Sequence, residues 1–281
     1  MIRCPWRTRA VAAVAIVAVV AVAGGATPAS AGIPSPAVKP GANMVVHMNL
    51  WGAKGNPDGG WNPDIAQAVL NSLKARTNPY PLVVSFNEIC ETQWLSLWNN
   101  YFGLHSYVAE AHWGTTVSGT CGRFGNVVAV RGSAAIRSHG SFSNQATNQT
   151  GVGWVCVASN LFNLTGCSAH VTARSAPPNI RQTQMWEYSV VANQYLTQNL
   201  PVWVAGDFNL EYAENQGAFD SWWYAVLGEA DAVSLARANK RKTTASRRID
   251  YIFTRSPNVI TDDAYIYDSP FSDHHWYQMY N

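Results

Sequence analysis

The chain has 281 residues, with 19 basic against 17 acidic side chains and a formal net charge of +2. That length is enough for one large domain. So balanced a charge does not mark a protein that binds polyanions through bulk charge.

Residues 1–31 carry Arg3, Arg7 and Arg9, then a long Ala/Val run, then Gly24-Gly25 and Ala29-Ser30-Ala31. A basic start, an apolar middle and a small-residue cleavage site read as a secretory signal peptide rather than a membrane anchor. Without those three arginines, 16 basic residues face 17 acidic ones, a net charge of −1. Residues 32–41 are rich in Pro, Ala and Ser and read as a disordered tail. Residues 42–281 show no repeat, long linker or second apolar span. They predict one soluble, monomeric, extracellular domain.

Met44–Leu50 reads as a strand ending in polar Asn49. Asn62-Pro63 opens a helix, with Asn62 at the cap and Pro63 in the first turn. Ile65, Ala68, Val69, Ser72 and Leu73 form its inner face. Pro81–Phe86 is a buried-type strand running into Asn87-Glu88, and Glu91–Tyr101 is an amphipathic helix. Asn126–Arg131 is a strand, and Trp154–Ser159 with Leu164–Val171 forms a hairpin. A helix spans Ile180–Thr197, with Met185, Trp186, Val190 and Leu196 as core candidates. Pro201–Ala205, Arg248–Thr254 and Ala264–Tyr267 complete the strands. The mixture predicts an α/β domain with mixed sheets and covering helices.

Cys90, Cys121, Cys156 and Cys167 follow the signal segment. An even count in an exported chain points to two disulfides. The hairpin sets Cys156 opposite Cys167, which leaves Cys90 for Cys121. No close Cys-x-x-Cys pair supports a zinc site instead.

Short polar motifs close the apolar runs: Ser168-Ala169-His170, Gly206-Asp207-Phe208-Asn209, Arg248-Ile249-Asp250-Tyr251 and Ser272-Asp273-His274. With Glu88, they gather carboxylates that are costly to bury without a cation or donors. Hard oxygen ligands suit Mg²⁺, or else Mn²⁺ or Ca²⁺. Two imidazoles among them offer acid–base chemistry near neutral pH. His47, His105 and His112 lack such company and read as structural. Arg237, Lys240, Arg241, Lys242, Arg247 and Arg248 crowd the approach to Asp250. Such a run is a solvated loop or a phosphate contact. Trp51 and Trp113 are candidates for stacking on a ring.

Taken in order with Val45-Val46-His47-Met48-Asn49, Ser85-Phe86-Asn87-Glu88 and Gly125-Asn126-Val127-Val128, this series resembles the endonuclease/exonuclease/phosphatase superfamily. The resemblance covers roughly residues 42–281. It implies the DNase I-like fold: a four-layer α/β sandwich, two mixed β-sheets packed face to face with helices outside. It also implies Glu88 as the principal metal ligand, with Asn49 and Asp273 on or near the ion. Asp207 would orient or activate water, and Asn209 would hold a phosphate oxygen. His274, oriented by Asp250, would serve as base or phosphate ligand, and His170 would assist the leaving group. Arg123, Arg174 and Asn126 are candidate phosphate contacts, the two arginines being equally readable as surface residues. Ser85-Phe86-Asn87 stands where many relatives carry Leu-Gln-Glu, with Asn87 in the place of that Gln, and no carboxylate is evident to hold His170.

The activity so implied is hydrolysis of phosphate esters, with DNA or RNA as the first expected substrate. A lipid or small phosphate ester is the alternative, and a non-catalytic binding protein on the same fold is a third reading.

Overall fold

A computed structural model describes residues 44–50, 63–75, 80–117, 121–133, 135–145, 151–198, 201–224, 227–229, 242–255, 264–267, 269 and 272–280. The signal segment, the Pro-rich tail, Trp51, Asn62, Arg237, Lys240 and Arg241 lie outside the described residues. In chain order the elements are β1 (Met44–Asn49), α1 (Pro63–Lys74), β2 (Pro81–Cys90), α2 (Glu91–Asn100), β3 (Tyr107–Val117), β4 (Gly122–Arg131), β5 (Ala135–Gly140), β6 (Gly153–Ser159), β7 (Leu164–His170), α3 (Pro178–Leu196), β8 (Val202–Asp207), β9 (Gly228–Glu229), β10 (Asp250–Thr254), β11 (Ala264–Tyr267) and β12 (Trp276–Tyr280).

Among the described residues the strands form two six-stranded sheets, ordered β11-β12-β1-β2-β4-β3 and β5-β6-β7-β8-β10-β9. Each sheet is antiparallel except for one parallel pair at its centre, β1–β2 in the first and β7–β8 in the second. Side chains alternate across a strand, so each sheet has two apolar faces to cover. Val46, Met48, Val84 and Phe86 pack outward with Val69 and Leu73 of α1 and Trp94 and Leu97 of α2. Cys156, Cys167, Val202, Val204 and Phe253 pack outward with Met185, Tyr188, Ala192 and Leu196 of α3. Val45, Val83, Val128, Val130, Val155, Val157, Trp203 and Ile252 fill the space between the sheets. Four layers result, as the resemblance implies. Gly166 lets the two sheets close, since a Cβ there would lie 2.7 Å from the methyls of Val83 and Val130.

Pro178 sits in the first turn of α3, where its fixed φ is helical and its missing N–H costs nothing. The helix buries Met185 and Leu196 as expected. It does not bury Trp186 or Val190, which are 65% and 42% exposed. Those two fall on the solvent side, and the inner face is set by Tyr188, Val191, Ala192 and Tyr195 instead.

β3, β5, β9 and β12 have no counterpart in the predicted strands. β3 and β5 are edge strands, and β5 carries Arg137, Ser138 and His139 with little burial, so neither shows a clean apolar alternation. Cys156 and Cys167 face each other in the β6–β7 register and are bonded, and Cys90 is bonded to Cys121.

Candidate functional site

Followed toward one edge of the sandwich, the layer between the sheets turns polar strand by strand. Val45 gives way to His47 and Asn49, Val83 to Ser85 and Asn87, and Val130 and Val128 to Asn126. Gly166 gives way to Ser168 and His170, Ala205 to Asp207, and Ile252 to Asp250. Register keeps the polar groups level. Asn49 pairs with Asn87, His170 with Asp207, and Asp250 with Asp207. The ends of the two central parallel pairs thus open onto one place.

Glu88 departs from the alternation. It follows Asn87, whose side chain already faces the layer. A bulge between Phe86 and Ile89 and a φ of 52° turn Glu88 to the same side. Such a bulge re-aims a side chain. The Cys90–Cys121 bond closes the segment two residues later. Gly206 is required by a close approach, because a Cβ there would stand 2.2 Å from the Ala169 carbonyl oxygen. Beyond it, Asn209 adopts a φ of 50°, and its N–H donates to Asp207 Oδ1 at 2.8 Å. The tight turn brings Asp207 and Asn209 together.

The groups converge on Asp207. Asn49 Nδ2 donates to Glu88 Oε1 at 3.2 Å and to Asp207 Oδ2 at 3.0 Å. His170 Nε2 lies 3.5 Å from Glu88 Oε1 and 3.8 Å from Asp207 Oδ2. Asn209 Nδ2 donates to the Val171 carbonyl at 2.9 Å and lies 3.4 Å from His170 Nε2. On the other side, His274 Nε2 is 3.7 Å from Asp207 Oδ2, and its Nδ1 is 2.8 Å from Asp250 Oδ2. Ser272 fastens this loop: its hydroxyl donates to the Asn49 carbonyl at 2.8 Å and accepts from the His274 N–H at 3.1 Å.

Burial and neighbouring charge set the protonation states. Burial pushes the Asp207 carboxyl up, Asp250 adds to it, and His274 and His170 only partly compensate, leaving it at about 6. Burial opposes charge on Asp250 too, but His274 and His47 hold it below the ordinary carboxylate range. Burial would lower His274, but Asp250 and Asp207 outweigh that and raise it to about 10. At neutral pH His274 is therefore an imidazolium beside two carboxyl groups.

Two sets of ligand atoms lie close enough to hold one ion, Glu88/His170/Asp207 and Asp207/Asp250/His274, each within 4.8 Å. Burial first, and the Asp250 charge second, disfavour the Asp207 carboxylate, and a cation would stabilise it. Carboxylate oxygens from Glu88 and Asp207 are the hard donors that Mg²⁺-type ions take. The residues therefore fit a divalent metal.

The remaining candidates fall elsewhere. Asp273 is about half exposed, faces His274 Nε2 at 3.8 Å and joins neither set. Arg123 is exposed and paired with Glu91 at 2.6 Å, and Arg174 is paired with Glu214. Asn126 is fully buried and turned inward: Oδ1 accepts from Asn87, and Nδ2 donates to the Gly151 and Gly153 carbonyls. Arg248 is buried, stacked over Tyr251 and Tyr277, and donates to Tyr277 Oη at 3.1 Å. It braces the fold and does not extend the basic run toward solvent. His170 Nδ1 is buried with no hydrogen-bond partner among the described residues, while its Nε2 faces the Glu88 and Asp207 carboxylates.

His47 corrects the sequence reading. It does have carboxylate company: Nε2 is 3.3 Å from Asp250 Oδ1. Strand alternation held the signal, since His47 shares a face with Asn49, two residues on.

The family model described as Endonuclease/Exonuclease/phosphatase family matches residues 47–274, a span that begins at His47 and ends at His274. The chain belongs to the endonuclease/exonuclease/phosphatase family. Enzymes of this family are metal-dependent hydrolases of phosphate esters, and this chain is one of them. Solved structures repeat the fold at low identity. The human Nocturnin catalytic domain with bound sulfate anion matches with a TM-score of 0.65 and 16% identity, over 85% of this chain and 92% of that one. D. rerio TDP2 complexed with single strand DNA product matches at 0.57 and 17%, over 85% and 98%. A family protein from Bacteroides vulgatus matches at 0.56 and 13%, over 85% and 98%. No curated protein matches the sequence significantly. No described helix is long and apolar enough to cross a membrane.

Proposed function

We propose that this chain is a secreted phosphodiesterase that hydrolyses nucleic acid with a divalent ion, Mg²⁺ in the first place. The observation that carries the reading is the sharing of Asp207 between two carboxylate–imidazole sets. Glu88, Asp207 and Asn49 would hold the ion, which supplies charge neutralisation at the phosphoryl oxygens. His274, an imidazolium held by Asp250, meets a phosphate as a cation and hydrogen-bond donor. Asp207, which faces both imidazoles, would also orient the attacking water. His170 and Asn209 sit together on the opposite side, where a leaving oxygen needs donors.

Support for nucleic acid comes from the family and from a structural neighbour, TDP2, complexed with single strand DNA product. Support for export comes from the signal-like segment and the two disulfides. The test is a substrate panel of plasmid DNA, single-stranded DNA, RNA, phospholipid and inositol phosphates, each with Mg²⁺, Mn²⁺, Ca²⁺ or EDTA. Chelator-sensitive cleavage of a polynucleotide is expected. Turnover confined to a lipid or small ester would replace the substrate, and no turnover of any member would overturn the reading.

A further inference from the structure

We propose that His47 is a positioning residue for this reaction, one that clamps Asp250 so that the carboxylate stays aimed at His274. The inference rests on the catalytic reading of the site given above.

His47 is fully buried on β1. The Asp250 carboxylate is held by one imidazole at each oxygen: His274 Nδ1 at 2.8 Å from Oδ2, and His47 Nε2 at 3.3 Å from Oδ1. The last torsion of an aspartate is soft and nearly two-fold. One hydrogen bond leaves the carboxylate free to swing about that bond, whereas a donor on each oxygen fixes its plane. Nε2, facing a carboxylate, carries the proton and donates it.

The far side of the ring is anchored as well. His47 Nδ1 is 2.8 Å from Ser85 Oγ, and Ser85 Oγ is 2.7 Å from Ser168 Oγ across the gap between the sheets. Asn87 Nδ2 donates to Ser168 Oγ at 3.0 Å, while Asn87 Oδ1 accepts from the Asp207 N–H at 2.8 Å. A continuous run of hydrogen bonds thus joins His274 to the backbone of Asp207, and His47 is the member that ties Asp250 to the opposite sheet. A purely structural residue here would be apolar, as Val45 is on the same face. A buried imidazole costs desolvation unless both nitrogens are used, and here both are.

Two amide variants separate the two nitrogens. His47→Gln places an amide near the Nε2 position and keeps a donor on Asp250. His47→Asn reaches only the Nδ1 position, keeping Ser85 and releasing Asp250. Loss of a group that orients a site residue typically costs roughly 10–100-fold in activity. We expect a kcat fall of that order for His47→Asn with KM little changed, and near-complete recovery in His47→Gln, at matched melting temperatures. The downfield proton resonance of the Asp250–His274 hydrogen bond should persist in wild type and His47→Gln and broaden in His47→Asn. Equal activity and an equal resonance in the two variants would overturn the proposal. An enzyme inactive on every phosphodiester would remove the proposed function, while the resonance would still decide whether His47 fixes Asp250.

Discussion

The layer between the two sheets has an apolar end and a polar end, built from one face of the same strands. At the apolar end, Val45, Val83, Val128, Val155, Trp203 and Ile252 interdigitate. At the polar end, His47, Asn87, Ser168, Asp207 and Asp250 are buried as deeply, with none more than 1% exposed. The first end stabilises through apolar area removed from water, about 25 cal/mol per Å². The second must pair its donors and acceptors internally, because each one left without a partner, as His170 Nδ1 is among the described residues, costs about 1–3 kcal/mol. The site is therefore a continuation of the core in polar form, held by the rigidity of its neighbour. It is not a set of loops laid on a scaffold.

If the two ends divide their labour, substitutions should separate activity from stability. The largest expected effect is at the polar end. His274→Ala should lower kcat/KM by roughly 10²–10⁴-fold, the usual contribution of a positioned acid–base group, and steady-state kinetics with Mg²⁺ checks it. At the apolar end, Leu164 opens β7 and is 4% exposed. Leu164→Ala should destabilise by about 2–5 kcal/mol in denaturant titration, while kcat per folded molecule stays at the wild-type value. A Leu164→Ala enzyme as crippled in kcat as His274→Ala would show that the two ends are not separable.

The sequence disclosed the polar end better than it disclosed the sheets around it. Motifs such as Gly206-Asp207-Phe208-Asn209 are local, and their geometry is made by neighbouring residues, so the Asp207–Asn209 contact was legible. The four strands of the two central pairs were legible too, because Val-rich runs mark buried strands, but their parallel pairing was not. β5 was not, since an exposed edge strand needs no apolar face. Glu88 was nameable, but its reach into the layer was not, because a bulge with positive φ is a tertiary solution. Arg248 was misplaced for the opposite reason. Charge in a run reads as solvated, whereas its partners Tyr251 and Tyr277 come from two different sheets. His47 needed only the step of two from Asn49, yet its partner lies 203 residues away.

The smallest effect sharpens the contrast through pH. An acid whose folded pKa exceeds its unfolded value weakens the fold once ionised. For Asp207, ordinarily at 3.8 and here at about 6, that penalty is absent below about pH 4 and full above about pH 6. The gap corresponds to about 3 kcal/mol as an order of magnitude. Asp250 runs the other way, since its depressed pKa adds stability that is lost on acidification. His274 adds stability below its unfolded value of 6.5 that is lost only as pH climbs through about 10. Comparing wild type with Asp207→Asn isolates the one contribution. In EDTA, wild-type stability should fall relative to the variant between pH 4 and pH 6.5. Mg²⁺ should restore it at pH 7, by about 2.7 kcal/mol at a hundredfold excess over Kd, and do little at pH 4, where Asp207 is protonated. Parallel melting curves for the two proteins, with an equal Mg²⁺ response, would mean that the polar end carries no charge stress for a metal to relieve.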